Sequence, residues 1–202
     1  MSSIAVFGGT FNPFHKGHEE MLRALCSIDY IDKVLIIPTK IPPHKSVDYL
    51  ALDTDRINMC NLVALEYPKA QVCDIELKRE GKSYTIDTLT SLSSVYPDST
   101  LYLCVGGDMI TSFTSWREYE KILKSAKLIA FKRQTTDNHE FQKAVDALAL
   151  QGADIFVPEV VITDISSTKI REHIKNKTLS DEFLPSKVFE YINANKVYVK
   201  NV

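Results

Sequence analysis

Short apolar runs alternate with longer amphipathic stretches along most of the chain. The runs are rich in Val, Ile and Leu, which is typical of strands buried in a parallel sheet. They predict strands at Ile4–Phe7, Val34–Ile37, Gln71–Ile75, Leu101–Val105, Leu128–Phe131 and Asp154–Val157. The longer stretches repeat apolar residues at helical spacing. They predict helices at Gly17–Ser27, Asp53–Glu66, Thr85–Val95, Trp116–Lys124, His139–Leu150, Ser167–Lys175 and Pro185–Asn193.

This alternation predicts an α/β fold, a Rossmann-like doubly wound parallel sheet with a short C-terminal helical segment. No repeat, low-complexity tract or linker interrupts the order, and 202 residues correspond to one domain. We therefore expect a single domain over residues 1–202, with residues 164–202 as its C-terminal helical part. Ligands of such sheets bind at the carboxyl ends of the strands, so the segments that follow the strands are where we expect the site.

Composition narrows the function classes. With 24 basic and 26 acidic residues the net charge is −2, which argues against non-specific binding to nucleic acid. No apolar run is long enough to cross a membrane, and no basic region precedes the first apolar stretch, so we expect neither a membrane nor a secreted protein. The cysteines lack zinc spacing, and we expect reduced, mostly buried thiols in the cytoplasm. They are Cys26, Cys60, Cys73 and Cys104.

The most distinctive loop follows the first strand and leads directly into a predicted helix. It matches neither the dinucleotide fingerprint nor the P-loop. Gly8 and Gly9 permit a ligand to approach the backbone closely, and His15 and His18 lie at a helix start whose free N–H groups attract anions. An isolated pair of histidines would be expected to cap a helix or lie on the surface. The strand, the paired glycines and the helix together favour phosphate binding.

Two segments further along the chain carry weaker signals. His44 and Lys45 follow the stiff pair Pro42-Pro43 near a strand end, although a polar surface loop would look similar. The segment Ser83–Leu89 is a helix start rich in Ser, Thr and Asp. It can serve ordinary capping, or it can offer backbone N–H groups to an anion.

The remaining candidates lie in the second half of the chain. Strand four ends at Gly106, and Asp108 can accept a hydrogen bond from a ribose hydroxyl or cap a helix. Trp116 belongs to the core or forms a flat platform for an aromatic ligand. The segment Asp164–Arg171 is either a second phosphate-binding helix start, facing the first if both strands are adjacent in the sheet, or a Ser cap with a solvated basic face. The residues alone favour neither alternative.

Taken together, these loops resemble a known superfamily. The segment GGTFNPFHKGH is similar to the GGxFxPxHxGH motif of the nucleotidyltransferases, and Ile165–Arg171 is similar to their ISSTxIR motif. That superfamily includes pantetheine-phosphate adenylyltransferases and cytidylyltransferases, so both motifs indicate a reaction class and leave the substrate open. Three further segments resemble the bacterial nicotinate-nucleotide adenylyltransferase family: Pro43-His44-Lys45, Ser83–Leu89, and Gly106-x-Asp108 followed by Trp116.

The likeness extends from Ala5 to Tyr198 with every motif in family order. Asn12 replaces the Asp common in the first motif, and Gly107 stands where Ala is usual. Neither position is one to which we assign chemistry.

The resemblance implies transfer of the adenylyl group of ATP to nicotinate mononucleotide, giving deamido-NAD and pyrophosphate, with Mg²⁺ accompanying the ATP. It implies that His15 and His18 are catalytic, and we expect no metal ligands from the chain. The implied ATP-binding residues are Gly8, Gly9, Thr10, Phe11, Gly106, Asp108, Ile165, Ser166, Ser167, Thr168 and Arg171. The implied substrate-binding residues are His44, Lys45, Tyr84, Thr85, Trp116 and Arg133.

Other functions compete with this one. A ligase related to class I tRNA synthetases would need a KMSKS-like loop and tRNA-binding domains, for which the chain has no room. A silent nucleotide sensor would be expected to lose His15, His18 or Arg171, and all are present. Among enzymes the alternative is pantetheine-phosphate adenylyltransferase, which does not share the Ser83–Leu89 segment. The expected partners are small molecules, and the oligomeric state, including a homo-oligomer, stays open.

Overall fold

The structure is a computed structural model that describes residues 1–42 and 49–199. Its strands are β1 (Ser2–Gly9), β2 (Lys33–Pro38), β3 (Ala70–Val72), β4 (Ser99–Gly106), β5 (Lys127–Arg133), β6 (Ile155–Phe156) and β7 (Val161–Ile162). Its helices are α1 (Lys16–Ser27), α2 (Asp53–Ala64), α3 (Thr85–Val95), α4 (Gly107–Ile110), α5 (Tyr119–Ser125), α6 (Asn138–Leu150), α7 (Ser167–Lys175) and α8 (Ser186–Ala194). Short 3₁₀ turns cover Phe113–Ser115 and Asp181–Phe183.

The strands form one parallel sheet in the order β3-β2-β1-β4-β5-β6, with β7 paired to the end of β5. This is the doubly wound order of Rossmann-like folds, so the predicted fold class is confirmed. Because side chains alternate across a strand, β1 buries Ile4 and Val6 on one face and Ala5 and Phe7 on the other. Both faces are covered, which explains why the strands are continuously apolar.

Helices from distant parts of the chain build the two cores. Buried side chains of α3, α5 and α6 cover one face of the sheet, and those of α1, α2, α7 and α8 cover the other. The C-terminal segment contributes Leu184, Val188, Ile192 and Tyr198 to the second core. The predicted C-terminal helical part therefore packs on the sheet rather than standing apart from it.

Several predicted bounds are wrong. The strand predicted at Gln71–Ile75 stops at Val72, because the chain then turns and the N–H of Lys78 bonds the carbonyl of Asp74. The helix predicted from Trp116 begins at Tyr119, since Glu118 before it adopts a left-handed φ of 55°.

Other elements were not predicted at all. The strand β7 is too short to show a period in the sequence. It exists because the end of β5 extends beyond β6 and needs a partner for its backbone groups. The helix α4 and the 3₁₀ turns are similarly brief.

All four cysteines are free thiols, of which Cys60 and Cys104 are buried and Cys26 and Cys73 are half-buried. Burial raises the pKa of each buried thiol, so both are expected to be protonated and unreactive. Among residues 1–42 and 49–199, no helix combines the length and apolar character needed to cross a membrane.

Candidate active site

The strand order reverses between β1 and β4, and a crevice opens where their carboxyl ends diverge. A cavity of about 590 Å³ lies there, a size suited to a small ligand. Its lining includes every predicted site residue that the structure describes, namely Gly8, Gly9, Thr10, Phe11, His15, His18, Tyr84, Thr85, Gly106, Asp108, Trp116, Arg133, Ile165, Ser166, Ser167, Thr168 and Arg171. The other two, His44 and Lys45, lie outside the described residues.

The two histidines cap the start of α1 reciprocally. The N–H of His18 donates to Nδ1 of His15, the N–H of His15 donates to Nδ1 of His18, and both distances are 3.3 Å. The rings stack with centroids 3.6 Å apart. Because each Nδ1 accepts a hydrogen bond, the neutral form of each ring carries its proton on Nε2. The capping role that the sequence left as an alternative is therefore present, and it also fixes which nitrogen can donate to a ligand.

The His15 ring is nearly fully buried, at 4% exposure. Burial, together with the positive charge of Arg133, lowers the pKa of His15 to about 3. His15 is therefore neutral at physiological pH, and its ring can donate a hydrogen bond to a ligand but brings no positive charge.

The glycines of this loop differ in what they accommodate. A side chain at Gly8 would meet nothing within 4 Å, which leaves the backbone open to the cavity, as predicted. A Cβ at Gly9 would lie 2.8 Å from the ring of Phe11, whose own φ is 46°. Gly9 is thus required by the packing of Phe11 against the backbone, a reason that the sequence did not reveal.

Three side chains from other elements hold the carbonyl groups of this loop. Arg56 Nη1 donates to the carbonyl of Thr10 at 2.9 Å, and Arg171 Nη1 donates to that of Asn12 at 2.9 Å. Ser167 Oγ donates to the carbonyl of Pro13 at 3.2 Å. The helix α7 is therefore fastened directly to the loop that carries the histidines.

This arrangement shows where the segment Asp164–Arg171 lies, and its phosphate-binding role stays a prediction. It faces the first loop, but not because the strands are adjacent, since the neighbours of β1 are β2 and β4. The link is Glu20 of α1, whose carboxylate accepts hydrogen bonds from the N–H and the hydroxyl of Thr163 at 2.7 and 2.8 Å. The cap residue Ser166 makes no side-chain capping bond to the first turn of α7. The backbone N–H groups of that turn can therefore donate to another acceptor.

Arg56 is a site-supporting residue that sequence reasoning missed. Its side chain is fully buried, and Nη1 also donates to the carbonyl of Thr39 at 2.6 Å. It thus ties the loop after β1 to the loop after β2. A signal existed in the sequence, because Arg56 shares the buried stripe of α2 with Met59, Cys60 and Val63, where a charged residue is out of place.

The opposite wall is the start of α3. Its cap residue Tyr84 makes no side-chain capping bond, so the Ser and Thr residues do not close this helix end. Ser83 instead joins the second loop, since its Oγ accepts from the N–H of Lys40 at 3.1 Å. Glu76, also missed from the sequence, lines this wall with its carboxylate bonded by the hydroxyl of Thr88, and burial raises its pKa.

Trp116 and Arg133 complete the lining. Trp116 follows the 3₁₀ turn and stacks on Phe113 with centroids 4.9 Å apart. Arg133 ends β5, and its Nη1 lies 3.3 Å from Asp108 Oδ2 and 3.9 Å from Asp164 Oδ1.

The structure accounts for both departures from the family motifs. The amide of Asn12 is used at both ends, since Oδ1 accepts from Ala51 N–H and Tyr198 Oη while Nδ2 donates to the carbonyl of Tyr49. A carboxylate could not make the last of these bonds. A Cβ at Gly107 would lie 2.5 Å from Thr136 Oγ1, so the smaller residue fits this surrounding.

Comparison with known proteins identifies the family of this chain. A sequence model of the family described as cytidylyltransferase-like matches residues 6–173. A protein of Carboxydothermus hydrogenoformans, described as a "probable nicotinate-nucleotide adenylyltransferase", is 35% identical over 198 residues, covering 98% of both chains. One of Fusobacterium nucleatum with the same description is 38% identical over 175 residues, covering 86% of this chain and 88% of the relative. The chain belongs to the nicotinate-nucleotide adenylyltransferase family.

Solved structures agree on the fold. Plasmodium falciparum nicotinic acid mononucleotide adenylyltransferase complexed with NaAD superposes with a TM-score of 0.80 over 98% of both chains, at 20% identity. The same protein complexed with APC gives a TM-score of 0.78, at 19% identity. At such identity the likeness concerns the fold alone, and the family assignment rests on the sequence relatives.

Proposed function

We propose that this protein transfers the adenylyl group of ATP to nicotinate mononucleotide, giving deamido-NAD and pyrophosphate in NAD biosynthesis. The observation that carries the proposal is the stacked pair His15 and His18, whose Nδ1 atoms accept backbone hydrogen bonds, so that each neutral ring carries its proton on Nε2. This pair shares one cavity with two helix starts that lack side-chain caps. Such a set of donors suits a ligand rich in phosphate.

The reaction is an in-line displacement at phosphorus. A phosphate oxygen of the mononucleotide forms a bond to the α-phosphorus of ATP, and the bond from that phosphorus to the bridging oxygen breaks. The electron pair leaves with pyrophosphate. The attacking phosphate is already ionised at neutral pH, so no general base is needed, and a histidine with a pKa of about 3 would be a poor one. The chain contributes alignment and neutralisation of charge.

We assign the triphosphate to the side of the cavity formed by the first loop and α7. There His15 and His18 donate to the oxygens of the α-phosphate, whose charge grows in the transition state. Ser167, Thr168 and Arg171 hold the departing β- and γ-phosphates. Arg171 is suited to this role because its Nη2 lies 3.2 Å from Thr168 Oγ1 while its Nη1 is anchored to the first loop.

We assign the nicotinate ring to the side of the cavity formed by Tyr84, Thr85 and Trp116. The open N–H groups at the start of α3 and its helix dipole attract the ring's carboxylate. The indole of Trp116 offers a face on which the pyridine can stack. Gly106 and Asp108 lie at the end of β4, where Asp108 can accept a bond from a ribose hydroxyl. The assignment of His44 and Lys45 to the acceptor phosphate stays a prediction, since neither is described.

Mg²⁺ is expected to enter with ATP. Within residues 1–42 and 49–199, no cluster of three or more His, Cys, Asp or Glu side chains is arranged to hold a metal. Mg²⁺ usually takes most of its ligands from substrate phosphates and water, and only one or two from protein carboxylates. Asp164, which also lines the cavity, would hold waters of the ion. The ion would neutralise charge on the triphosphate.

We further propose that the protein works in the cytoplasm, where its free thiols and its ATP substrate are both expected. No role for nucleic acid is proposed, and the oligomeric state stays open.

Pyrophosphate release tests the proposal. Purified protein is incubated with ATP, Mg²⁺ and one acceptor at a time: nicotinate mononucleotide, nicotinamide mononucleotide or pantetheine phosphate. We expect rapid release and formation of deamido-NAD with the first. Use of pantetheine phosphate without use of nicotinate mononucleotide would refute the proposal, and an Arg171→Ala variant controls for contaminating activity.

A further inference from the structure

Three arginines are the cationic side chains that line the cavity in the described part of the chain. Arg171 is bound to the carbonyl of Asn12, and Arg133 lies 3.3 Å from Asp108 at the end of β4. Both therefore belong to the triphosphate and ribose regions. Arg117 is the third, and the sequence motifs assign it no role.

Arg117 lies on the wall to which we assign the nicotinate ring. It directly follows Trp116 in the chain, and its Cζ lies 4.7 Å from the centroid of the Tyr84 ring. A guanidinium held over an aromatic face keeps its N–H groups at the edge available for an acceptor. The stack on Tyr84 thus holds this cation next to the start of α3.

The ion pairs that Arg117 makes are loose. Its nearest carboxylate oxygens are Glu118 Oε1 at 3.6 Å from Nε and Asp87 Oδ2 at 4.0 Å from Nη1. Both distances exceed a hydrogen bond, and the side chain is 52% exposed. Such pairs contribute little to stability, so Arg117 can exchange them for a carboxylate that enters the cavity.

We propose that the guanidinium of Arg117 binds the carboxylate of the nicotinate ring and thereby selects the acid over the amide. The proposal rests on the proposed function and refines the same site. Arg carries only donors, which match the two oxygens of a carboxylate. An amide would turn its NH₂ group towards those donors and leave one of them without an acceptor.

The test compares kcat/KM for nicotinate and nicotinamide mononucleotides in the wild type and in variants. In Arg117→Ala we expect the ratio of acid to amide to fall about tenfold, the size of one charge-assisted hydrogen bond at a half-exposed position. Arg117→Met should behave alike, because it keeps apolar contact with Tyr84 and removes the charge together with its N–H donors. Arg117→Lys should retain part of the preference. The matched control is Lys121→Ala, which removes the same charge from an exposed partner of Glu118 that does not line the cavity.

The outcomes separate this inference from the proposed function. Equal losses for both substrates in Arg117→Ala and Arg117→Met would mean a structural role and would overturn the inference alone. A fall in the ratio of the same size in Lys121→Ala would also overturn it, because the effect would then come from overall surface charge. A wild type that is inactive with both mononucleotides would refute the proposed function and this inference with it.

Discussion

The depressed pKa of His15 makes the stability of the fold depend on pH in a specific way. The pKa is about 3 in the folded protein, against 6.5 for an exposed histidine. Between these values the unfolded chain binds a proton that the folded protein excludes, so stability falls as pH decreases. The contribution is fully present above pH 6.5 and is lost as the pH decreases towards 3.

The magnitude follows from linkage. Each pH unit in this window costs about 1.4 kcal/mol, so a change from pH 7 to pH 5 removes about 2 kcal/mol of stability through His15. The free energy of unfolding typically falls by about 2 kcal/mol per molar urea. The urea concentration at the unfolding midpoint should therefore be lower at pH 5 than at pH 7 by about 1 M. A substitution of His15 should abolish this part of the shift and leave the contributions of the other titrating groups in place.

The variant His15→Asn provides the comparison. Asn is a favoured N-cap residue, and its Oδ1 can accept from the N–H of His18 as Nδ1 of His15 does, but it does not titrate. Urea unfolding at pH 7 and pH 5 measures how much free energy of unfolding each protein loses between the two pH values. We expect the loss in the wild type to exceed that in the variant by about 2 kcal/mol. As a direct probe, the NMR signal of the His15 ring should stay unchanged over the same range.

Equal pH dependence in the wild type and the variant would refute this reasoning. So would a ring signal of His15 that titrates near pH 6.5, since His15 would then be protonated at mildly acidic pH and its burial would not matter energetically.

Further predictions concern four other residues of the site. His18→Ala should fold normally and lose about 10²–10³-fold in kcat, with a smaller change in KM. The reason is that we assign Nε2 of His18 to the negative charge that develops in the transition state, and a near-native kcat would refute this assignment. Trp116→Ala should lower kcat/KM for both mononucleotides by the same factor, about threefold to tenfold, because one aromatic contact is lost. Thr85→Asp should selectively lower kcat/KM for nicotinate mononucleotide, because it places a negative charge beside the carboxylate. Steady-state assays measure both effects. Arg56→Lys should lower the free energy of unfolding by about 2 kcal/mol in urea, because one ammonium cannot reproduce both the carbonyl bonds of Nη1 and the bond from Nη2 to the Asp53 carboxylate. The exposed Arg23→Lys is its control and should change stability by less than about 0.5 kcal/mol.

The sequence by itself determined the local units of this protein. Helices α3 and α7 have the predicted bounds, and the loop from Gly8 to His18 joins a strand to a helix as expected. These features depend on residues that are neighbours in the chain: a capping pair, a run of β-branched residues, a helical period. The predicted site residues that the structure describes line one cavity for a related reason, because most of them directly follow strands or begin helices, and parallel strands bring such positions to one edge.

Only the tertiary structure decided how these units act on one another. Arg56 reaches a carbonyl 46 residues away, and Ser167 reaches one 154 residues away, so no local pattern announces either bond. The low pKa of His15 arises from its burial and from the positive charge of Arg133, which lies at the end of β5. The short strand β7 depends on the end of β5, which extends beyond its pairing with β6. In each case a polar or charged group is removed from water, and its free energy then depends on the partners it finds in the folded protein. Which groups lose contact with water is determined only when the whole chain has packed.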